Sequence, residues 1–350
     1  MDDFVSVILP CRNEEKTIGV CIKKIQKVFS EHKIKGEIIV SDSSLDDSAK
    51  IAKTMEVKVV KHDKEGYGYA YHAGFKHAKG NIIIIGDADN TYDFSEIPKL
   101  LSKAKNNDIV IGSRLKGKIH KGAMPWLHRY IGNPLISFFL RALFGSKISD
   151  TQSGFRLIKK DAWEKLSLNT LGMEFASEMI IRATKQNLKV AEVPISYYPR
   201  PTGSESKLKS LRDGWKHIRF MLLYSHSFLF LFPGILLLLA GIFMMTFSPA
   251  ITRFALLSVL LIVIGYEIIL LGVFAKIYAT VHLKQPSKLV DTINRYISLE
   301  KGMIIGLFIF IIGIVLILTL NDILPALTLF MMGIQTLFAS FFMSIIGIEQ

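Results

Sequence analysis

Cysteine is nearly missing from this chain. Cys11 and Cys21 are the only two in 350 residues, too few for a disulfide framework, and they read as reduced structural thiols in a cytosolic domain. Histidines are scattered. His62, His72, His77, His120 and His128 form no H-E-x-x-H pattern, which excludes that type of metal site and leaves surface or core roles. The opening MDDFVSVILP has no basic stretch leading to a small-residue cleavage site, so no signal peptide is expected. No Gly-rich stretch ends in Gly-Lys-Ser/Thr, and no dinucleotide fingerprint follows the first apolar run, which argues against P-loop and NAD-type nucleotide binding. Charge also becomes scarce from Phe228 onward.

Long apolar runs take over there. A bilayer-spanning helix needs about 20 mostly apolar residues, and four stretches qualify: Phe228–Phe247, Phe254–Ala275, Gly302–Leu320 and Ile323–Ile348. The formal net charge of +13 therefore points to anionic lipid or phosphorylated substrates rather than nucleic acid. Lys276, Lys284, Lys288, Arg295 and Lys301 crowd one inter-span segment, whereas the other two linkers carry at most Arg253. The positive-inside rule places that segment in the cytoplasm. Four spans then put both termini and the preceding domain there, in a multi-pass membrane protein. Glu267 lies within a span, either as a helix-packing carboxyl or as a functional group. Residues 204–227 alternate Leu208, Leu211, Trp215 and Ile218 with Lys207, Lys209, Arg212, Lys216 and Arg219, reading as basic amphipathic helix in the headgroup layer rather than a surface helix of the domain. The expected division is thus 1–203, 204–227 and 228–350.

Residues 1–203 alternate strand and helix. FVSVILP, EIIVSD, VKVVKH, NIIIIGDAD and DIVIGSR read as strands; Ile18, Ile22, Ile25 and Phe29 recur at helical spacing, and a further helix is expected around 71–78. This order predicts an α/β domain with a mostly parallel sheet, whose ligands sit at the carboxyl ends of the strands. The strongest signal is GDADNTYD, where NIIIIG delivers Asp87 and Asp89 to such an end. Alternation puts both carboxylates on one side, an oxygen pair suited to Mg²⁺ or Mn²⁺ beside a diphosphate. Asp42 ends another strand and suits a ribose or base; Asp46 and Asp47 suit the start of the next helix. Pro10 turns the chain out of the first strand so that Arg12, Asn13 and Glu14 share the rim with Asp42. Glu14 fits either nucleotide contact or helix capping, and Glu15 a helix start. In EGYGYAYHAGFKHAKG the glycines either admit a ligand or shape a loop.

Taken in order, VILPCRNEE, VSDSSLDD, GYGYAYHAG, GDAD, IGSR, DTQSGFR and EVPISYYPRPTGSESKL resemble the family 2 glycosyltransferases, in particular the dolichol-phosphate and polyprenyl-phosphate sugar synthases that carry a four-span anchor. The resemblance covers about 210 residues plus the tail. It implies a GT-A-like (Rossmann-like) nucleotide-diphospho-sugar transferase domain followed by an all-α four-helix transmembrane domain. It also implies a divalent cation and inversion at the anomeric carbon. By position it implies metal binding at Asp89 with Asp87 beside the diphosphate, and donor contacts near Pro10, Asn13, Glu14 and Asp42. Arg114 and Arg129 fall near the acceptor phosphate, and Arg200 and Lys207 on a loop closing over the phosphates. Many relatives read D-A-D-L-Q; here Asn90 and Thr91 stand instead, leaving the third metal ligand open. The Q-x-x-R-W motif of processive synthases is missing. UDP-glucose is the favoured donor, then UDP-N-acetylglucosamine, with GDP-mannose or another membrane acceptor as alternatives and a nonenzymatic scaffold the remote one.

A phosphate monoester has a second pKa of about 6, so a lipid phosphate is a ready nucleophile without a strong general base. The site must then hold two anions together, and Arg114, Arg129 and Arg200 are the expected phosphate clamps. Arg129 sits in an apolar stretch with Trp126, Leu127, Ile131, Leu135 and Phe138, read as an amphipathic piece dipping toward lipid, against a core helix as the alternative. Arg141 then suits snorkelling. Asp150 orients an acceptor or braces a loop; Glu174 and Glu178 suit structural roles. The partners read out are a nucleotide-sugar donor, a dolichyl or polyprenyl phosphate and membrane lipid, and a homo-oligomer is compatible.

Overall fold

The computed structural model describes residues 3–201, 210–247, 253–281, 287–296, 298–319 and 323–348. The chain forms two compact units, Met1–Met221 and Leu222–Gln350.

In the first unit β1 (Val5–Cys11), α1 (Ile18–Glu31), β2 (Gly36–Asp42), α2 (Ser48–Thr54), β3 (Lys58–Lys61), α3 (Tyr67–Phe75) and β4 (Ile82–Ile85) alternate. α4 (Ile97–Ala104), β5 (Ile109–Ile119), α5 (Asn133–Phe144), β6 (Arg156–Lys159), α6 (Lys160–Leu166), α7 (Phe175–Lys185) and β7 (Val190–Tyr197) follow. The seven strands lie in the order β3-β2-β1-β4-β6-β5-β7. β3, β2, β1 and β4 run parallel, whereas β6 is antiparallel to both β4 and β5, and β7 is parallel to β5. The sheet is therefore mostly parallel, with one reversed strand that hydrophobic patterning did not reveal. α3 begins at Tyr67 rather than near 71, because Gly66 at φ +145° starts the helix from a conformation other residues avoid.

Alternation explains the apolar strands. Val5, Val7, Leu9, Ile82 and Ile84 pack with α1 and α4 on one face. Ile8, Ile83 and Ile85 pack with Tyr71, Trp163 and Phe175 on the other. A strand covered on both faces reads as an unbroken apolar run. Each fully buried isoleucine contributes about 1.5–3 kcal/mol. The parallel register pairs Cys11 with Asp42 and Ile8 with Ile85, so the loops after β1, β2 and β4 emerge along one edge.

α8 (Ser210–Tyr224) begins in the first unit and runs three residues past its end at Met221. One face packs on the domain: Met221 is buried and His217 Nδ1 lies 2.9 Å from Ser177 Oγ. Trp215 and Arg219 are exposed. Lys207, expected over the phosphates, lies outside the described residues.

The second unit holds α9 (Phe232–Phe247), α10 (Arg253–Val281), the short α11 (Lys288–Tyr296), α12 (Leu299–Thr319) and α13 (Ile323–Ile346). With the turn before α9 included, four helices of 21, 29, 21 and 24 residues are long and apolar enough to cross a membrane. Glycines let them approach closely. A Cβ on Gly265 would meet Leu238 N at 2.5 Å, and one on Gly333 would meet Phe310 N at 2.4 Å, the small-residue packing that membrane helices use. Glu267 accepts a hydrogen bond from Gln335 Nε2 at 2.9 Å, and Tyr266 Oη lies 2.7 Å from Thr336 Oγ1. Glu267 is thus a helix-pairing carboxyl between α10 and α13.

Candidate active site

A cavity of about 570 Å³ opens at the carboxyl edge of the parallel strands, within the usual size range for small-molecule sites. Its lining gathers Pro10, Arg12, Glu14, Asp87, Asp89 and Arg200 from segments far apart in sequence. Glu65, Gly66, Tyr67, the 171–173 turn and Lys216 complete it. Glu65, Gly66 and Tyr67 belong to the glycine-rich segment for which ligand approach is one of two sequence readings, whereas Lys216 reads from sequence only as part of the basic amphipathic stretch, and the 171–173 turn carries no sequence signal.

Asn13 and Asp42 do not line the cavity but build its rim. Asn13 adopts φ +52°; its backbone N–H donates to Ser44 Oγ (2.8 Å) and its Oδ1 accepts from Leu45 N (2.9 Å), tying the β1 and β2 loops together. Asp42 is fully buried; Oδ1 accepts from Ser44 N at 3.3 Å, while Oδ2 has no partner. A buried orphan acceptor is costly unless a ligand donor meets it. Arg12 pairs with Glu65 across the cavity mouth. Asp46, rather than Asp47, makes the bond at the start of α2, accepting from Ser48 N at 3.0 Å.

Asp87 and Asp89 follow β4 as the strand pattern requires. Burial and the neighbouring Asp89 charge push the Asp87 carboxyl up to about 7. Tyr71 Oη donates to Asp87 Oδ1 at 3.4 Å. Tyr67, lining the cavity and 3.4 Å from Tyr71 Oη, has a phenol pushed up by burial and by Asp87, so it stays protonated. Asp89 is held differently. Its Oδ1 accepts from Thr91 N (3.0 Å) and Thr91 Oγ1 (2.6 Å), and its Oδ2 meets Arg200 Nη2 at 2.5 Å. Arg200 Nη1 also lies 3.6 Å from Glu14 Oε1. Thr91 therefore orients a carboxylate, while Asn90, at φ +60°, turns its amide oxygen to Lys24 Nζ (3.0 Å). Asn90 is not directed at the carboxylate pair.

The arginines separate into distinct environments. Arg114 does not line the cavity: it is buried and bidentate to Asp150, Nε–Oδ2 at 2.9 Å and Nη2–Oδ1 at 2.8 Å. Burial pushes the Asp150 carboxyl up, but the Arg114 guanidinium outweighs it and leaves it below its ordinary value. Asp150 is thus a brace, and Arg114 also lies over Tyr197. Arg129 does not line the cavity either; its guanidinium lies over the Tyr130 ring. Arg156, which the sequence reading passed over, is fully buried without a carboxylate. It donates to the carbonyls of Thr151 (2.7 Å), Ser153 (2.7 Å) and Ala176 (3.1 Å), clamping the turn that carries Gly154. A Cβ on Gly154 would meet Tyr67 Oη at 2.7 Å and Asp87 Oδ2 at 2.9 Å, so this turn presses against the buried carboxylate. Glu178 takes the backbone N–H groups of Asn169 and Thr170 and the Arg182 guanidinium, fixing the loop that leads to the 171–173 turn. The two cysteines are buried and burial pushes both thiols up to about 12, which leaves them inert.

Residues 6–167 match the family described as glycosyl transferase family 2, and residues 273–321 match the glycosyltransferase family 2 C-terminal transmembrane region. A Haloferax volcanii protein, the low-salt glycan biosynthesis hexosyltransferase Agl6, is 38% identical over 321 residues, covering 89% of this chain and 77% of that protein. This chain belongs to glycosyltransferase family 2. The glycosyltransferase AglJ of the same organism is 29% identical over 217 residues, covering 61% of this chain and 69% of AglJ. Among solved structures, mannosyl-3-phosphoglycerate synthase from Rubrobacter xylanophilus superposes with a TM-score of 0.52 at 21% identity, covering 63% of this chain and 73% of that one. Glucosyl-3-phosphoglycerate synthase from Mycobacterium tuberculosis, in complex with Mn²⁺, UDP and phosphoglyceric acid, gives 0.52 at 21%, covering 64% and 78%. These two share the fold of the family 2 catalytic domain.

Among the described residues no group of three or more His, Cys, Asp or Glu side chains gathers as a metal cluster. The carboxylate pair Asp87–Asp89 is what remains. Its chemistry fits a hard divalent cation: both side chains are oxygen donors, and a cation would offset the burial that disfavours charge on Asp87.

Proposed function

We propose that this chain is an inverting hexosyltransferase that moves a sugar from a nucleotide sugar, UDP-glucose foremost, to a dolichyl or polyprenyl phosphate at the cytoplasmic face of a membrane. Mg²⁺ or Mn²⁺ would be held by Asp87 and Asp89. The observation that carries the reading is the close set of Asp87, Asp89 and Arg200 on a cavity at the carboxyl edge of a parallel sheet. The name of the Haloferax relative, a hexosyltransferase of glycan biosynthesis, and the Mn²⁺ and UDP bound by the mycobacterial fold neighbour support it. The four apolar helices favour an acceptor that resides in the bilayer.

When bound, the cation neutralises charge developing on the departing nucleoside diphosphate. The chain's own residues do the rest. The unpartnered Asp42 Oδ2 accepts from the nucleoside, under a rim held by Asn13. Arg200 suits bidentate capture of a phosphate, and Arg12 and Lys216 add positive charge at the cavity. A phosphate nucleophile, largely dianionic at neutral pH, needs no strong general base. Attack from the face opposite the diphosphate inverts the anomeric carbon. Holding two anions in reach of each other provides most of the acceleration. Arg129, within the exposed apolar stretch of Trp126, Leu127, Tyr130, Ile131, Leu135 and Phe138, is suited to a lipid phosphate at the headgroup layer, whereas Arg114, paired with Asp150, serves as a brace.

The test is a donor panel. The purified full chain in nanodiscs receives radiolabelled UDP-glucose, UDP-N-acetylglucosamine or GDP-mannose, with polyprenyl phosphate, diacylglycerol or no acceptor. Label that partitions into organic solvent only with polyprenyl phosphate and UDP-glucose is the expected result. Label transferred from GDP-mannose alone would replace the donor, label on diacylglycerol would replace the acceptor, and no lipid product from any donor would refute the function.

A further inference from the structure

Asp89 has both oxygens engaged before any ligand arrives. Oδ1 is taken by the backbone and hydroxyl of Thr91, and Oδ2 by the guanidinium of Arg200 at 2.5 Å. The Asp89 side chain is only 6% exposed, so water does not compete strongly for it, and the ion pair is correspondingly strong. Arg200 is anchored a second time by Glu14, whose side chain is also largely buried. A divalent cation on Asp89 would stand beside a guanidinium already touching the same oxygen. Two cations at that separation repel, so one must leave.

We infer that Arg200 is a tethered counter-ion that holds the cation's place on Asp89 and gives it up only when a diphosphate offers the guanidinium another anion. This rests on the proposed metal-dependent reaction and adds an order to it. Free metal faces an occupied carboxylate and binds weakly. Metal arriving with a nucleoside diphosphate brings the anion that draws Arg200 away, so the two ligands enter as a unit and each tightens the other. Arg200 thereby serves as a positioning residue in both states: it keeps Asp89 oriented before a ligand arrives, and it clamps the diphosphate once one is bound. A residue that only bound phosphate would leave the affinity for metal alone unchanged.

Mn²⁺ binding to the full-length protein, followed through the electron paramagnetic resonance signal of the free ion, tests this without turnover. Titrations are run with Mn²⁺ alone and with Mn²⁺ plus UDP, on the wild type, Arg200→Gln and Arg200→Lys. Arg200→Gln should bind Mn²⁺ alone about tenfold more tightly than the wild type, the size of one charged hydrogen bond, and should lose most of the gain that UDP confers. Arg200→Lys keeps the charge and should stay near the wild type. Equal or weaker binding of Mn²⁺ alone by Arg200→Gln overturns the counter-ion role and leaves the metal reading standing. If the wild type binds no Mn²⁺ even with UDP, the metal reading falls and the counter-ion role with it.

Discussion

The two halves of the central sheet do different work with the same kinds of residue. β3, β2, β1 and β4 are parallel, and their loops present Asp42, Asp87, Asp89 and Glu14 to the cavity or its rim. β6, β5 and β7 contain a reversed strand, and two of their charged residues, Arg114 and Arg156, are buried. Arg114 meets Asp150 in a buried bidentate pair, and Arg156 is spent on backbone carbonyls and the Met179 sulfur. At the first edge Asp42 keeps one oxygen without a partner and Asp89 meets Arg200, which itself lines the cavity, whereas Asp150 on the second is satisfied inside the protein. An acidic or basic residue at a strand end is therefore not a site by virtue of position. What decides is whether its partner lines the cavity or is sealed in the core.

Exchanging charge for neutrality on each half should give opposite signatures. Asp89→Ala should lower transfer by about a thousandfold or more, the loss of several kcal/mol of charge stabilisation. Its thermal unfolding should stay near that of the wild type. Retained turnover would remove the first half from the chemistry. Asp150→Asn should instead destabilise the domain by about 3–5 kcal/mol, because it leaves Arg114 buried without its charge partner, as denaturant unfolding would record. The pH dependence carries the same sign. Asp150 titrates below its ordinary range, so its stabilisation is fully present above that range and is lost as pH falls through the lowered value; the variant should lack this acid limb.

The boundary between the halves can be probed at Gly154. A methyl group there would push on Tyr67 and Asp87. Gly154→Ala should reduce turnover by about ten- to a hundredfold through misplacement of Asp87, with a smaller loss of stability than Asp150→Asn. The gentlest test concerns the surface beside the second half. Trp126, Trp163 and Trp215 are the only tryptophans in the sequence, and Trp126 and Trp215 are exposed while Trp163 is buried in the core. In single-tryptophan variants of the full chain in bilayers, brominated lipid should quench Trp126 and Trp215 and leave Trp163 bright. A bright Trp126 would separate the exposed apolar stretch around it from the membrane.

Much of the first half was legible because its signals are local. An apolar run of strand length that ends in D-A-D announces carboxylates at a sheet edge, and parallel strands share that edge. The four long apolar runs are legible for a similar reason, since twenty apolar residues in a row have few other solutions. The second half was harder. Arg114, Arg129 and Arg200 look alike as isolated cations, yet one is sealed against Asp150, one lies over an aromatic ring and one sits on Asp89. The antiparallel β6 has only four residues, Arg156–Lys159, too short for periodicity to declare its direction.

Hydrophobic order along the chain thus determined the α/β class, the apolar helices and the acidic edge, because burial depends on patterns a few residues long. Tertiary structure alone decided which charges meet one another, since Asp89 with Arg200, Arg114 with Asp150 and Gly154 with Asp87 are contacts between segments far apart in sequence. Charge pairing falls off over a few ångströms and carries no periodic trace, so no local pattern could have revealed it.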